Sequence, residues 1–160
     1  MSEDLRVNKP PPSDPSALWP ELAAWIVKSG VSLGGLAPLQ QSAMLALAAL
    51  CVRDGETLDE RTVNLRLRAQ LDGLLQCLAT DHVELRRWLV DSGWLQRDGY
   101  GRSYQRVPAA ALNPWLREWS QALSERDAEG WATWAADQRA TREAQRAERR
   151  QRWQSQGQGA

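Results

Sequence analysis

Hydrophobic positions return every three or four residues along most of this chain, and the breaks in that rhythm divide it into short helices. Leu22, Trp25 and Ile26 share one face of a helix expected from about Pro20 to Ser29, which Gly30 ends. A second helix, from about Pro38 to Arg53, opens on a proline suited to a first turn. Its stripe of Met44, Leu45, Leu47, Ala48, Ala49 and Val52 is wide enough to bury most of its circumference. Asp54-Gly55 stops it. A third helix starts near Asp59, a good N-cap. Val63, Leu67 and Leu71 line one side of it, and Arg61, Arg66 and Arg68, with Thr62 and Asn64, occupy the rest until Asp72-Gly73 breaks the pattern. Leu74, Leu75 and Leu78 then pack ahead of a fourth helix. Thr80 or Asp81 caps that helix, and Glu84 stands three residues after Asp81, as in a capping box. Leu85, Trp88 and Leu89 form its buried stripe, and Gly93 ends it.

From Trp94 the rhythm changes. Trp94 to Arg97 and Arg102 to Val107 are short runs with β-formers, separated by Asp98-Gly99 and Gly101, residues that accept positive φ in a hairpin turn. Helical spacing resumes at Asn113-Pro114, an N-cap followed by a first-turn proline, with Leu112, Leu116, Trp119 and Leu123 on one face. Gly130 is expected to interrupt it. Trp131, Trp134 and Ala135 then open a last, very polar helix ending near Gln154. The expected fold is mainly α with a small β-hairpin: a winged-helix-like three-helix core, an N-terminal helix and long C-terminal helices. The domain layout follows. Residues 1–17, with Pro10, Pro11, Pro12 and Pro15, read as a disordered arm. Residues 18–108 form the winged-helix-like domain, 112–154 the C-terminal helical segment, and 155–160 a disordered tail.

Composition narrows the function classes. No run reaches the roughly 18 to 20 apolar residues of a membrane span, and the polar N-terminus lacks a secretory signal, so a cytoplasmic protein is expected. Cys51 and Cys77 have no metal-type spacing and read as reduced, partly buried thiols. Phe is absent and nine Trp residues take its place. Gly34-Gly35 is no phosphate cradle, because neither a Lys-Ser/Thr pair nor a preceding strand accompanies it. His82, the single histidine, has no partner at ligand spacing and is read as a first-turn helix residue. No catalytic or nucleotide fingerprint occurs. The expectation is therefore a non-enzyme with no metal and no cofactor.

The stretch from Gly55 to Val107 resembles the family called domain of unknown function 2087. Its members carry an E-x-x-V-N helix start, then LRR-x-LV-D-x-G-x-L-x-R, then a dG-x-x-Y turn. Here these are Glu60, Val63 and Asn64; Leu85, Arg86, Arg87, Leu89, Val90, Asp91, Gly93, Leu95 and Arg97; and Gly101 and Tyr104. The resemblance covers about 55–107 and implies a prokaryotic protein akin to proteins labelled transcriptional regulators. In many relatives the domain follows a separate helix-turn-helix domain, and this chain is read as lacking one.

Charge sums to zero, with 20 basic and 20 acidic residues, but it is not evenly spread. Residues 61–106 hold eight basic side chains against five acidic, and residues 139–153 six against two, all the bases being Arg. Arginine forks suit phosphate and carboxylate alike. Candidate nucleic-acid contacts are Arg61, Arg66 and Arg68, Arg87 on the fourth helix, and Arg97, Arg102 and Arg106 around the hairpin turn with Tyr100 and Tyr104. For Arg87 ion pairing along the helix with Glu84 and Asp91 is the favoured reading over DNA contact. Arg86 is read as structural, pinning Asp59 or Glu60 of the previous helix or Asp91 of a partner chain. Candidate partner-binding residues are Trp131, Trp134 and Trp153, while Trp115 and Trp119 are expected to pack on the core. Trp153 with Arg146, Arg149, Arg150 and Arg152 suits nucleic acid or an acidic protein, the alternative being a solvated tail. Three functions remain open: a regulator-like module that binds double-stranded DNA; an adaptor of the same fold that binds another protein, or its own kind, through the C-terminal helices; and a phage or mobile-element protein acting on a host factor.

Overall fold

The computed structural model describes Pro11, residues 15–100 and residues 102–158. Most of the expected disordered arm, and residues 159–160 of the expected tail, lie outside the described residues. Pro15–Leu18 form a 3-10 turn leading into α1 (Trp19–Ile26), with Leu18 already buried. α2 (Pro38–Ala49) is the spine: every residue from Gln41 to Ala49 is buried. It packs on α1, α4 and α5. Such a helix shows little amphipathic contrast because neighbours surround it.

The module around it runs β1 (Thr57–Asp59), α3 (Glu60–Asp72), α4 (His82–Asp91), β2 (Leu95–Arg97) and β3 (Ser103–Arg106). Two side-chain caps set the helix starts. Asp59 accepts from the Thr62 N–H at 2.8 Å, and Asp81 from the Glu84 N–H at 2.7 Å. Only half of the expected capping box forms, since the Glu84 carboxylate accepts from the Thr80 hydroxyl instead. Gly93, at φ +87°, ends α4 in a conformation costly for any residue with a Cβ.

The expected hairpin is present, and it is one edge of a three-stranded antiparallel sheet ordered β1-β3-β2. Arg97 pairs with Tyr104, and Leu58 on β1 pairs with the other side of Tyr104. Asp98 organises the turn: its carboxylate accepts from the Tyr100 and Arg102 N–H groups at 3.1 and 2.8 Å and from the Ser103 hydroxyl at 3.1 Å. Gly101, expected in that turn, lies outside the described residues. Between α3 and α4, Leu74, Leu75 and Leu78 are buried in tight turns that bridge in parallel to Val31.

α5 (Pro114–Leu123) follows as expected, with Asn113 capping it through the Leu116 N–H at 3.0 Å. The break before α6 (Ala128–Gln158) differs from expectation. It falls at residues 124–127, and Gly130 lies inside the first turn of α6. The cause is Asp127, whose carboxylate accepts from the Gly130 N–H at 2.8 Å and whose carbonyl accepts from Trp131. α6 also passes the expected end at Gln154 and runs to Gln158, taking residues 155–158 out of the expected disordered tail.

One hydrophobic core joins Leu18 to Ala135, so α5 and the start of α6 belong to the same packed body as the middle of the chain. Trp131 sits in that core, 1% exposed, edge-on to Trp19 and Trp134 at 5.3 Å each. Trp134 packs beside it, half-buried. Burial withdraws Trp131 from the partner surface expected of it, whereas Trp134 keeps part of its ring accessible. Trp119 is buried as expected, but Trp115, in the first turn of α5, is 43% exposed. No helix among the described residues is long and apolar enough to cross a membrane.

Both cysteines are buried and unbridged. Burial pushes the Cys51 thiol up to about 12, and it raises Cys77 as well. Thiols held neutral and out of solvent are poor nucleophiles. Labelling with a thiol reagent is expected to be slow in buffer and to reach both cysteines at once in denaturant. Rapid native labelling of Cys51 would contradict its placement.

Candidate nucleic-acid interface

The polar residues of the family pattern meet where α3, α4 and the sheet touch. Arg86, on the inner flank of α4, pairs with Glu60 at 3.0 Å, bonds Asn64 and lies 5.5 Å above the Tyr104 ring. Its side chain is only 15% exposed. Of the carboxylates open to it from sequence, Glu60 is the one engaged. A buried guanidinium needs that many partners to offset its lost hydration. Arg86 therefore ties both helices to β3, and it floors a groove of about 250 Å³ whose walls include Val83, Arg87, Val90, Asp91 and Arg97.

Around this groove the outward faces of α3 and α4 join. Arg61, Leu65 and Arg68 follow one another at steps of four and three on α3, all exposed. Arg68 reaches His82 at the start of α4, its Nε donating to Nδ1 at 3.3 Å. Val83 and Arg87 continue the face one turn further, and Arg97 on β2 closes it. Arg102 stands at the ribbon tip, 5.7 Å from the Tyr100 ring. The ion pairs expected between Arg87 and Glu84 or Asp91 do not form. Among the described residues, no carboxylate lies within salt-bridge distance of Arg61, Arg68, Arg87, Arg97 or Arg102.

The other two candidates serve the fold. Arg66 forks onto Glu56 and also donates to the Cys51 carbonyl at 2.9 Å, closing the loop between α2 and β1. Arg106 is 10% exposed and donates to the Ser120 hydroxyl at 3.1 Å, with Asp54 at 4.0 Å. It sits at the far end of β3 from the turn, paired with Leu95 at the start of β2 and set against Ser120 of α5. Proximity in sequence to the turn suggested otherwise.

Three carboxylates in this module ionise more readily than usual. The Arg66 fork holds Glu56 down, the Thr62 side chain and N–H hold Asp59 down, and the Arg102 N–H leads the bonds that lower Asp98. A folded-state value below the unfolded one stabilises the fold above the ordinary carboxylate range, and that stability is lost as pH falls through the lowered values. Thermal midpoints are therefore expected to be flat near neutrality and to drop below about pH 4. Glu56→Gln should lessen that drop. A midpoint that rises on acidification would contradict these bonds.

Residues 39–106 match the family described as uncharacterized protein conserved in bacteria (DUF2087). The match begins in α2, earlier than the resemblance at Gly55, and ends with β3, so it spans the module and the spine beneath it. No curated protein and no solved structure matches the chain.

Proposed function

We propose that the domain of unknown function 2087 carried at residues 39–106 is a non-catalytic, transcriptional-regulator-like module that binds double-stranded DNA. In this reading α4 approaches the major groove and the β2–β3 ribbon grips a flanking phosphate. The order helix, strand, helix, helix, strand, strand, with the sheet ordered β1-β3-β2, supports a winged-helix-like reading. In helix-turn-helix readers the second helix of the pair enters the groove, and here that helix is α4. The observation that carries the reading is the set of five exposed arginines along α3, α4 and the ribbon with no carboxylate within salt-bridge distance among the described residues, while Arg66 and Arg106 are withdrawn to the fold. Uncompensated donors are what phosphates and base edges require.

The test is anisotropy of a labelled random duplex titrated with the full chain across a salt series. The expected result is micromolar-range binding at low salt that weakens steeply as salt rises. No binding at low salt would remove the proposal. One observation favours a second reading, a protein-binding adaptor: Leu65 is 55% and Val83 40% exposed on the same face. On DNA such side chains suit thymine methyl groups. On a protein they would seed a small apolar contact, and that contact would be insensitive to salt.

A further inference from the structure

α6 leaves the packed body after Arg139. That residue is the last anchor, its guanidinium donating to the Leu74 carbonyl at 2.8 Å. From Ala140 to Gln158 every residue but Ala147 is exposed. At 1.5 Å per residue this is an arm of about 28 Å. Its Ala, Arg, Gln and Glu content favours helix, and the anchored turns at Trp131 and Ala135 supply the nucleus that a free peptide of this length would lack.

The arm sorts its charges. Glu143 is taken by Arg150 at 3.2 Å and Glu148 by Arg152 at 3.5 Å. Arg142, Arg146, Arg149 and Trp153 follow at steps of four, three and four, which is one helix face. The three arginines on it have no carboxylate within salt-bridge distance among the described residues. Trp153, 80% exposed, ends the row. We infer that this face is a second nucleic-acid site, one that takes a single strand: the guanidiniums bind successive phosphates and the Trp153 indole stacks on an unpaired base. Stacking on an aromatic platform beside a basic track is how sequence-tolerant single-strand binding works. Duplex bases are stacked already and offer Trp153 no open face. A membrane surface would need a broad apolar face, and Trp153 is the one large apolar side chain after Arg139. A protein groove would need apolar anchors at the very positions that hold arginine here.

The inference stands apart from the duplex reading, and its test separates the two. Labelled oligothymidylate is titrated with the full chain at low salt and across a salt series. Arg142→Ala/Arg146→Ala/Arg149→Ala should weaken binding at least tenfold and reduce the slope of log affinity against log salt by about two. Trp153→Ala should cost about tenfold, and Trp153→Phe should restore most of it. Replacing Arg87 and Arg97 should leave oligothymidylate affinity nearly unchanged. Circular dichroism checks that the helix survives in each variant. Absence of binding to the oligonucleotide, equal affinity of Trp153→Ala and the native chain, or loss caused by the Arg87 and Arg97 changes and not by those on α6 would each overturn the inference. So would binding to anionic vesicles with none to the oligonucleotide.

Discussion

Trp131→Ala is expected to lower stability by about 3–5 kcal/mol, the cost of emptying a fully buried aromatic site. The indole fills the corner where α1, α5 and α6 meet. It is edge-on to Trp19 and Trp134, lies 4.9 Å below the Arg126 guanidinium, and donates from Nε1 to the Leu123 carbonyl at 3.0 Å. Truncation removes the packing of three elements and leaves a buried carbonyl without its donor. α6 touches the core through little else than Trp131, Trp134, Ala135 and Arg139. Its helicity should therefore fall with the loss of that anchor, as a lower far-ultraviolet signal even before global unfolding. Denaturant unfolding measures the first effect and circular dichroism the second. Trp131→Phe keeps the ring but not the N–H and should cost roughly 1–2 kcal/mol. A loss under 1 kcal/mol for the alanine variant would mean that Trp131 is not in the core.

Replacing Arg87, Arg97 and Arg102 together by Ala should leave stability within about 0.5 kcal/mol, since all three are exposed and make no ion pair. Duplex affinity should fall at least tenfold, and the salt slope should shrink by about 2.7 if each arginine neutralises one phosphate. Arg66→Ala and Arg106→Ala should do the reverse. Arg66 holds Glu56 and the Cys51 carbonyl, and Arg106 is nearly buried against Ser120, so these changes should destabilise by about 1–3 kcal/mol and leave the slope unchanged in the folded protein. Reduced slopes for Arg66 or Arg106 with no loss of stability would invert the division of labour between the two sets.

Local signals carried most of the helices. Asp59, Asp81 and Asn113 cap α3, α4 and α5 as their side chains suggest, and Asp98-Gly99 turns the ribbon. What escaped depends on distant partners. β1 is three residues long with only Leu58 buried, and it exists because β3, more than forty residues later, pairs with it. A periodic pattern needs more length than that to be seen. Along the chain Gly130 reads as the α5–α6 boundary, yet by the same capping logic Asp127 is the stronger signal. At the candidate site, sequence could mark arginines but not sort them. Arg66 and Arg87 look alike along the chain, and only the approach of Glu56 to one and the diversion of Glu84 to Thr80 beside the other separate them. Trp131 and Trp153 pose the same problem, and burial alone tells the anchor from the exposed ring.

Proton–nitrogen correlation spectra that include the arginine Nε–H groups, recorded with and without a random duplex at low salt, bear most directly on the proposed interface. The largest shifts should fall on Arg68, His82, Arg87, Arg97 and Arg102, with the Nε–H signals of Arg66 and Arg106 still. Spectra that do not move, or that move only between Arg142 and Trp153, would contradict duplex binding by α4 and the ribbon.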